Sequence, residues 1–148
     1  MDQLVKRQWT EEEYAEWLAS LETRDTPRNT PQDLYEIKYT GEKNYRLTGG
    51  GEKFWADGIE AQTVVLEAKK IVTPERSPFI PTSKLDERLR EMINAKVRDE
   101  FRRLAFIMLD EANPLTSVRV IVSDAQAKPF FESLLREHQL PGEVVVRN

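Results

Sequence analysis

Phe54-Trp55-Ala56-Asp57-Gly58, four residues of turn, then Thr63-Val64-Val65-Leu66-Glu67-Ala68-Lys69: the fold is decided by this stretch. Residues 63–66 are a β-branched, apolar run, the composition of a central strand buried on both faces. Glu67 and Lys69 follow two apart on that strand, so their side chains leave on one face. Residues 53–58 read as the returning strand of a hairpin, which sets Asp57 at its end beside them. An acid, nine residues, a second acid, one residue and a lysine therefore converge at one strand end.

Working outward, Gly49-Gly50-Gly51 permits a tight reversal with positive φ between a strand over 44–48 and the returning strand. No helix follows these glycines, so they are a hairpin turn and not a phosphate-binding loop. Upstream, Thr30-Pro31 with Asp33 three residues after the cap opens a short helix that Gly41 stops. These capping signals favour helix over the rival strand at 35–39, and Leu34, Ile37 and Tyr39 are the expected inward positions. Thr10 with Glu13 is a second capping box, heading a helix with Tyr14, Trp17, Leu18 and Leu21 at helical spacing. Residues 24–29, polar and containing Pro27, read as a linker, giving an N-terminal helix and linker over 1–29 and a main domain over 30–148.

Downstream, Pro74, Pro78 and Pro81 make 73–82 an irregular loop. Ser83 to Asp86 then cap a long helix with Leu85, Leu89, Met92, Val97, Phe101, Leu104 and Met108 as its stripe, ending near Asn113-Pro114. Residues 118–122 are a buried strand, Ser123 to Gln126 cap a helix with Phe130, Phe131, Leu134 and Leu135 inward, and 144–146 are the last strand. Strands joined by tight turns pair antiparallel; strands reached through helices add in parallel by right-handed crossovers. The expected fold is a mixed α/β sheet flanked by helices, with an extra N-terminal helix.

Composition narrows the chemistry. The 148 residues contain no cysteine and one histidine, His138. Disulfides, thiolate zinc sites, a cysteine nucleophile and a His-rich metal site are excluded. His138, near a helix C-terminus, reads as a cap partner, and Trp9, Trp17 and Trp55 as core or helix-docking residues. No apolar run approaches the length of a membrane span, and residues 1–10 lack a signal-peptide pattern. Net charge is −4, but residues 1–36 hold nine acids against four bases and the remainder 17 acids against 18 bases. The acidity belongs to the front, and a neutral body is free to hold a local basic groove.

Two carboxylates at a strand end suit a hard divalent cation such as Mg²⁺, and an adjacent lysine orients a water or offsets charge on a phosphate. Phosphodiester hydrolysis needs that set. Spacing alone also allows a turn aspartate and an exposed Glu/Lys pair. A second Glu-x-Lys, Glu36-Ile37-Lys38, lies on the short helix and lacks the strand context. Arg102 and Arg103, on the long helix, belong either to a solvated face of mixed charge or to a phosphate contact. Lys70 adjoins the motif but points to the opposite face.

Asp57 with Glu67-Ala68-Lys69, in this element order, resembles the PD-(D/E)xK restriction-endonuclease-like superfamily. Tyr35-Glu36 running to Thr40-Gly41, Trp55-Ala56-Asp57-Gly58 with Leu66-Glu67-Ala68-Lys69, and the run from Val118 through Phe130-Phe131 to Val144-Val145 resemble the restriction-endonuclease-fold toxin domains of bacterial polymorphic toxins. The resemblance covers roughly residues 30–147, and Ala56 stands where the pattern has Pro. It implies a metal-dependent nuclease, DNA foremost and RNA as the alternative substrate, with a non-catalytic binding module as the competing reading. By it Asp57 and Glu67 are ligands of Mg²⁺ or Mn²⁺, Lys69 is the catalytic lysine, and Glu36, the extra acid many members carry before the sheet, is the third candidate metal ligand; Glu13 and Glu16 are weaker candidates. Arg102, Arg103 and Lys70 are the candidate nucleic-acid contacts. The resemblance also implies a cognate immunity protein, a secretion-system carrier or chaperone, export without a signal peptide, and action in the cytoplasm of a target cell.

Overall fold

The strand Val64–Lys69 lies inside a four-stranded sheet in the computed structural model, which describes residues 4–148. In chain order the elements are α1 (Glu11–Ser20), β1 (Thr23–Asp25), α2 (Pro31–Thr40), β2 (Lys43–Gly49), β3 (Glu52–Ala56), β4 (Gly58–Glu60), β5 (Val64–Lys69), α3 (Glu87–Leu109), β6 (Ser117–Val122), α4 (Lys128–Glu137) and β7 (Gly142–Val146), with short 3₁₀ turns at Pro74–Arg76 and Ala125–Ala127. β4 pairs antiparallel with β5, β5 parallel with β6 through α3, and β6 parallel with β7 through α4. A second sheet, β1-β2-β3, is antiparallel throughout. The expected mixed α/β architecture is the one observed.

The two faces of the four-stranded sheet are covered differently. Val65, Val118, Val120, Val122 and Val144 join Phe101, Leu104, Phe131 and Leu134 of α3 and α4 in the main core. Ala68 and Ile121 lie on the other face beneath Tyr35 of α2. Phe101 and Phe131 are fully buried with ring centroids 6.2 Å apart, and truncating either costs about 3–5 kcal/mol. Among the described residues no helix is long and apolar enough to cross a membrane.

Four local expectations need correction. Residues 24–29 do not begin as a linker: Arg24 pairs with Asn44 and Asp25 with Lys43 in β1. All three β1 residues are exposed, so main-chain pairing forms the strand with no apolar pattern to announce it. The returning strand over 53–58 is two strands in two sheets, broken at Asp57. On α2 it is Tyr35 and Glu36 that are buried, while Leu34 is 56% exposed. On α3 burial begins only at Val97, and Leu89 and Met92 face solvent. At 1.5 Å per residue α3 is about 34 Å long, and its first turns are tied to the preceding loop, where Arg90 donates to the carbonyls of Ile80 and Ser83. It stops at Leu109, short of Asn113-Pro114.

Both capping boxes expected from sequence are present, Thr10 with Glu13 and Thr30 with Asp33, and Gly41 ends α2 at φ 108°. Asp86 caps α3, whereas Asp124 caps the 3₁₀ turn before α4 and α4 itself has no side-chain cap. Each cap satisfies amides that the first helical turn leaves unpaired.

Candidate active site

Gly58 sets the position of Asp57. A β-carbon at Gly58 would stand 2.5 Å from the carbonyl oxygen of Thr40, so only glycine lets β4 pass this close to the end of α2. The chain therefore crosses from β3 to β4 against α2, with Asp57 at the crossing. Past Leu66, β5 has no strand on its β4 side, since β4 pairs only as far as Gly58 with Leu66. Side chains take the place of the missing strand. The Ala68 amide donates to Asp57 Oδ2 at 2.8 Å, Gln32 Nε2 donates to the Ala68 carbonyl at 2.9 Å, and the Lys70 amide donates to Gln32 Oε1 at 2.7 Å. The Asp57 amide in turn donates to Glu67 Oε2 at 2.9 Å. The two acids are thus fixed through each other's segment of main chain.

Asp57, Glu67 and Lys69 line one polar cavity of about 280 Å³. Glu100 and Arg103 enter it from α3, and Arg24, Phe54 and Trp55 from the antiparallel sheet. A larger cavity of about 640 Å³ lies beside Leu135, Leu140 and Pro141, but no buried ionisable groups converge there. The smaller cavity is the chemical one.

Burial first and neighbouring Glu36 second push the Asp57 carboxyl up to about 7, against the opposing pull of Lys69 and the Ala68 amide. Glu67, 3% exposed, is raised well above the usual carboxylate range by burial and then by Asp57, again opposed by Lys69. For Lys69 burial works to remove the proton, but Glu67, Asp57, Glu100 and Glu36 together outweigh it and raise the ammonium above its ordinary value. The lysine therefore keeps its proton at neutral pH in the metal-free chain. One ammonium among several crowded acids leaves the cluster short of positive charge.

Of the residues singled out from sequence, the structure brings Asp57, Glu67, Lys69 and Arg103 to one cavity. Glu36 does not line it. It is 8% exposed, accepts from Asn44 Nδ2 at 2.7 Å, and acts on Asp57 from outside the cavity as a neighbouring negative charge. Arg102 lies outside, paired with Asp99 at 2.9 Å and Glu52 at 3.3 Å. Lys70 is also outside, its ammonium 5.7 Å from the centre of the Tyr35 ring on the α2 side. Neither lines the cavity.

Four cavity residues are not among the sequence candidates, and Phe54, 4% exposed, is one of them as part of the core. Glu100 carried a signal: it falls three residues after Val97 and four before Leu104, on the core-facing stripe of α3. Trp55 was read as core but faces the cavity with the Arg24 guanidinium 4.3 Å from its ring centre. Arg24 had no signal, because it lies on the strand that residues 24–29 concealed.

The donor set fits a hard divalent cation. Asp57 and Glu67 each commit one oxygen to an amide, and their other oxygens, Oδ1 and Oε1, accept no hydrogen bond from the described main-chain or side-chain donors. Among the described residues there is no ready cluster of three metal-ligating side chains. Mg²⁺ needs none, since it is held through one or two carboxylates and keeps waters and substrate oxygens for its remaining positions.

A mixed sheet whose hairpin breaks at an acid, with Glu-x-Lys at the end of a central strand, defines a restriction-endonuclease-like protein. The chain belongs to the restriction endonuclease fold toxin 2 family, whose model matches residues 31–141. That stretch runs from the start of α2 to the turn before β7 and holds Asp57, Glu67 and Lys69. No curated protein and no solved structure matches the chain.

Proposed function

We propose that this chain is a metal-dependent nuclease, with DNA as its foremost substrate, acting as an antibacterial toxin. The observation that supports it most is the meeting of Asp57, Glu67 and a protonated Lys69 in one polar cavity of a restriction-fold toxin. Asp57 and Glu67 would hold Mg²⁺ or Mn²⁺, and Glu36, behind Asp57, adds negative charge rather than a third ligand. A divalent cation held there supplies polarisation of a phosphoryl oxygen and a lowered pKa for an attacking water.

The chain's own groups do the rest. The amides of Asp57 and Ala68 orient the two carboxylates before any ligand arrives, so little reorganisation is required when substrate binds. Lys69 holds its proton beside the reacting phosphate and balances the charge that builds on its oxygens. Arg103, fixed by Asp99 at 3.0 Å, adds positive potential at the rim of the cavity.

In the toxin reading the chain is delivered into a rival cell by a secretion-system carrier or chaperone and is held in check by a cognate immunity protein. Incubation with plasmid DNA and with total RNA, each with Mg²⁺ and with EDTA, tests the activity and separates the substrates. Expression in the bacterial cytoplasm tests the toxin role: growth should stop with the wild-type chain and continue with Glu67→Gln. Equal growth with both would reject it.

A further inference from the structure

The arginines near the cavity differ in what holds them. Arg102 and Arg103 share Asp99 on α3. Arg24 has no carboxylate partner among the described residues, yet it is fixed. Its Nε donates to Asn44 Oδ1 at 3.2 Å, and its guanidinium packs on the Trp55 ring at 4.3 Å. Asn44 is itself 4% exposed and anchored, donating through Nδ2 to Glu36 Oε1 at 2.7 Å and Thr26 Oγ1 at 3.2 Å. One edge and one face of the guanidinium are therefore held, while its two terminal nitrogens make no hydrogen bond to a described residue at the wall of the cavity. A planar fork fixed in this way and not neutralised is a bidentate receptor for a phosphate, with most of its ordering cost already met.

We propose that Arg24 binds a non-scissile phosphate of the nucleic-acid substrate, so that β1 contributes to the substrate site. The assignment rests on the nuclease reading of the same cavity. It concerns a phosphate beside the one attacked, because Lys69 stands with Glu67 on β5, whereas Arg24 reaches the cavity from β1 of the other sheet. Arg24 lies outside the stretch matched by the family model, so this contact is a property of the chain's N-terminal segment and not of the matched core.

Fluorescence anisotropy of a labelled DNA duplex and a labelled RNA, over a salt series with Mg²⁺ and in the cleavage-deficient Glu67→Gln background, tests it. Adding Arg24→Ala should weaken binding about tenfold or more and reduce the slope of log K against log[salt] by about one. Adding Arg24→Lys should restore the slope but only part of the affinity, since an ammonium neither forks nor stacks. In the otherwise wild-type chain, Arg24→Ala should raise KM and leave kcat within about twofold. A merely structural role would leave the salt slope unchanged. Unaltered affinity and slope in Arg24→Ala, with the wild-type chain still cleaving, would overturn the assignment and leave the nuclease reading standing. A wild-type chain that neither binds nor cleaves either nucleic acid would overturn both.

Discussion

Asp57 and Glu67 hold each other through the main chain: the amide of Asp57 donates to Glu67 Oε2 at 2.9 Å, and the amide following Glu67, that of Ala68, donates to Asp57 Oδ2 at 2.8 Å. The pairing brings two acids into a buried site where burial and Glu36 raise the proton affinity of Asp57, and burial and Asp57 raise that of Glu67. Such an arrangement is unfavourable at neutral pH without a cation, and the consequences are measurable.

Without metal, stability should fall as pH rises. Asp57 ionises at about 7 in the folded chain against an ordinary 3.8, and Glu67 is shifted the same way. Between those values the folded state binds more protons than the unfolded one, so unfolding free energy declines from about pH 4 to about pH 7. At pH 8 in EDTA, Asp57→Asn should stabilise the chain by about 1–3 kcal/mol, and near pH 4 it should change little. Thermal melts across that range check it. Mg²⁺ at about a hundredfold over its Kd should stabilise the wild-type chain at pH 8 by about 2.7 kcal/mol, and the Asp57→Asn variant much less.

Lys69 should behave as a charge. Lys69→Met removes the ammonium, retains much of the stem and leaves the acids uncompensated, so the metal-free protein should lose about 3 kcal/mol or more at pH 8. Cleavage should fall by about 10³-fold or more, while a calorimetric Mg²⁺ titration should still show binding. Parallel loss of Mg²⁺ affinity would show that the lysine shapes the cation site and has no separate part in the reaction.

Gln32 should matter although it touches neither acid. It donates to the carbonyl of Ala68 and accepts from the amide of Lys70, the residues flanking Lys69. Gln32→Ala should cost about 1–3 kcal/mol by stranding both groups, and it should lower kcat through a loosened β5. Gln32→Glu keeps the acceptor for Lys70 but loses the donor to Ala68, so it should fall between the two in chemical denaturation.

Much of this was legible in the chain. The alternation of turn, apolar run and cap residues gave the mixed sheet, the parallel crossovers and both capping boxes, because each depends on residues close in sequence. The strand context of Glu67 and Lys69 identified the pair that the structure brings to Asp57. Contacts distant in sequence were hidden. β1 is three exposed residues held by pairing with β2, 20 residues away at Arg24 and Asn44. Glu36 is buried by its bond to Asn44, which no helical period announces. Arg102 and Arg103 are adjacent on α3, and their successive directions around the helix turn only Arg103 into the cavity.

The central claim is that Asp57, Glu67 and Lys69 form a cation-dependent phosphodiester-cleaving site. Plasmid cleavage by the wild-type chain in Mg²⁺, repeated in EDTA and with Glu67→Gln, tests it most directly. Glu67→Gln retains an acceptor for the Asp57 amide while removing the charge, so the fold should persist. The account predicts cleavage in Mg²⁺, none in EDTA, and a loss of about 10³-fold or more in the variant, equivalent to ~4 kcal/mol of barrier. Full cleavage in EDTA, or a Glu67→Gln variant as active as the wild-type chain, would contradict it.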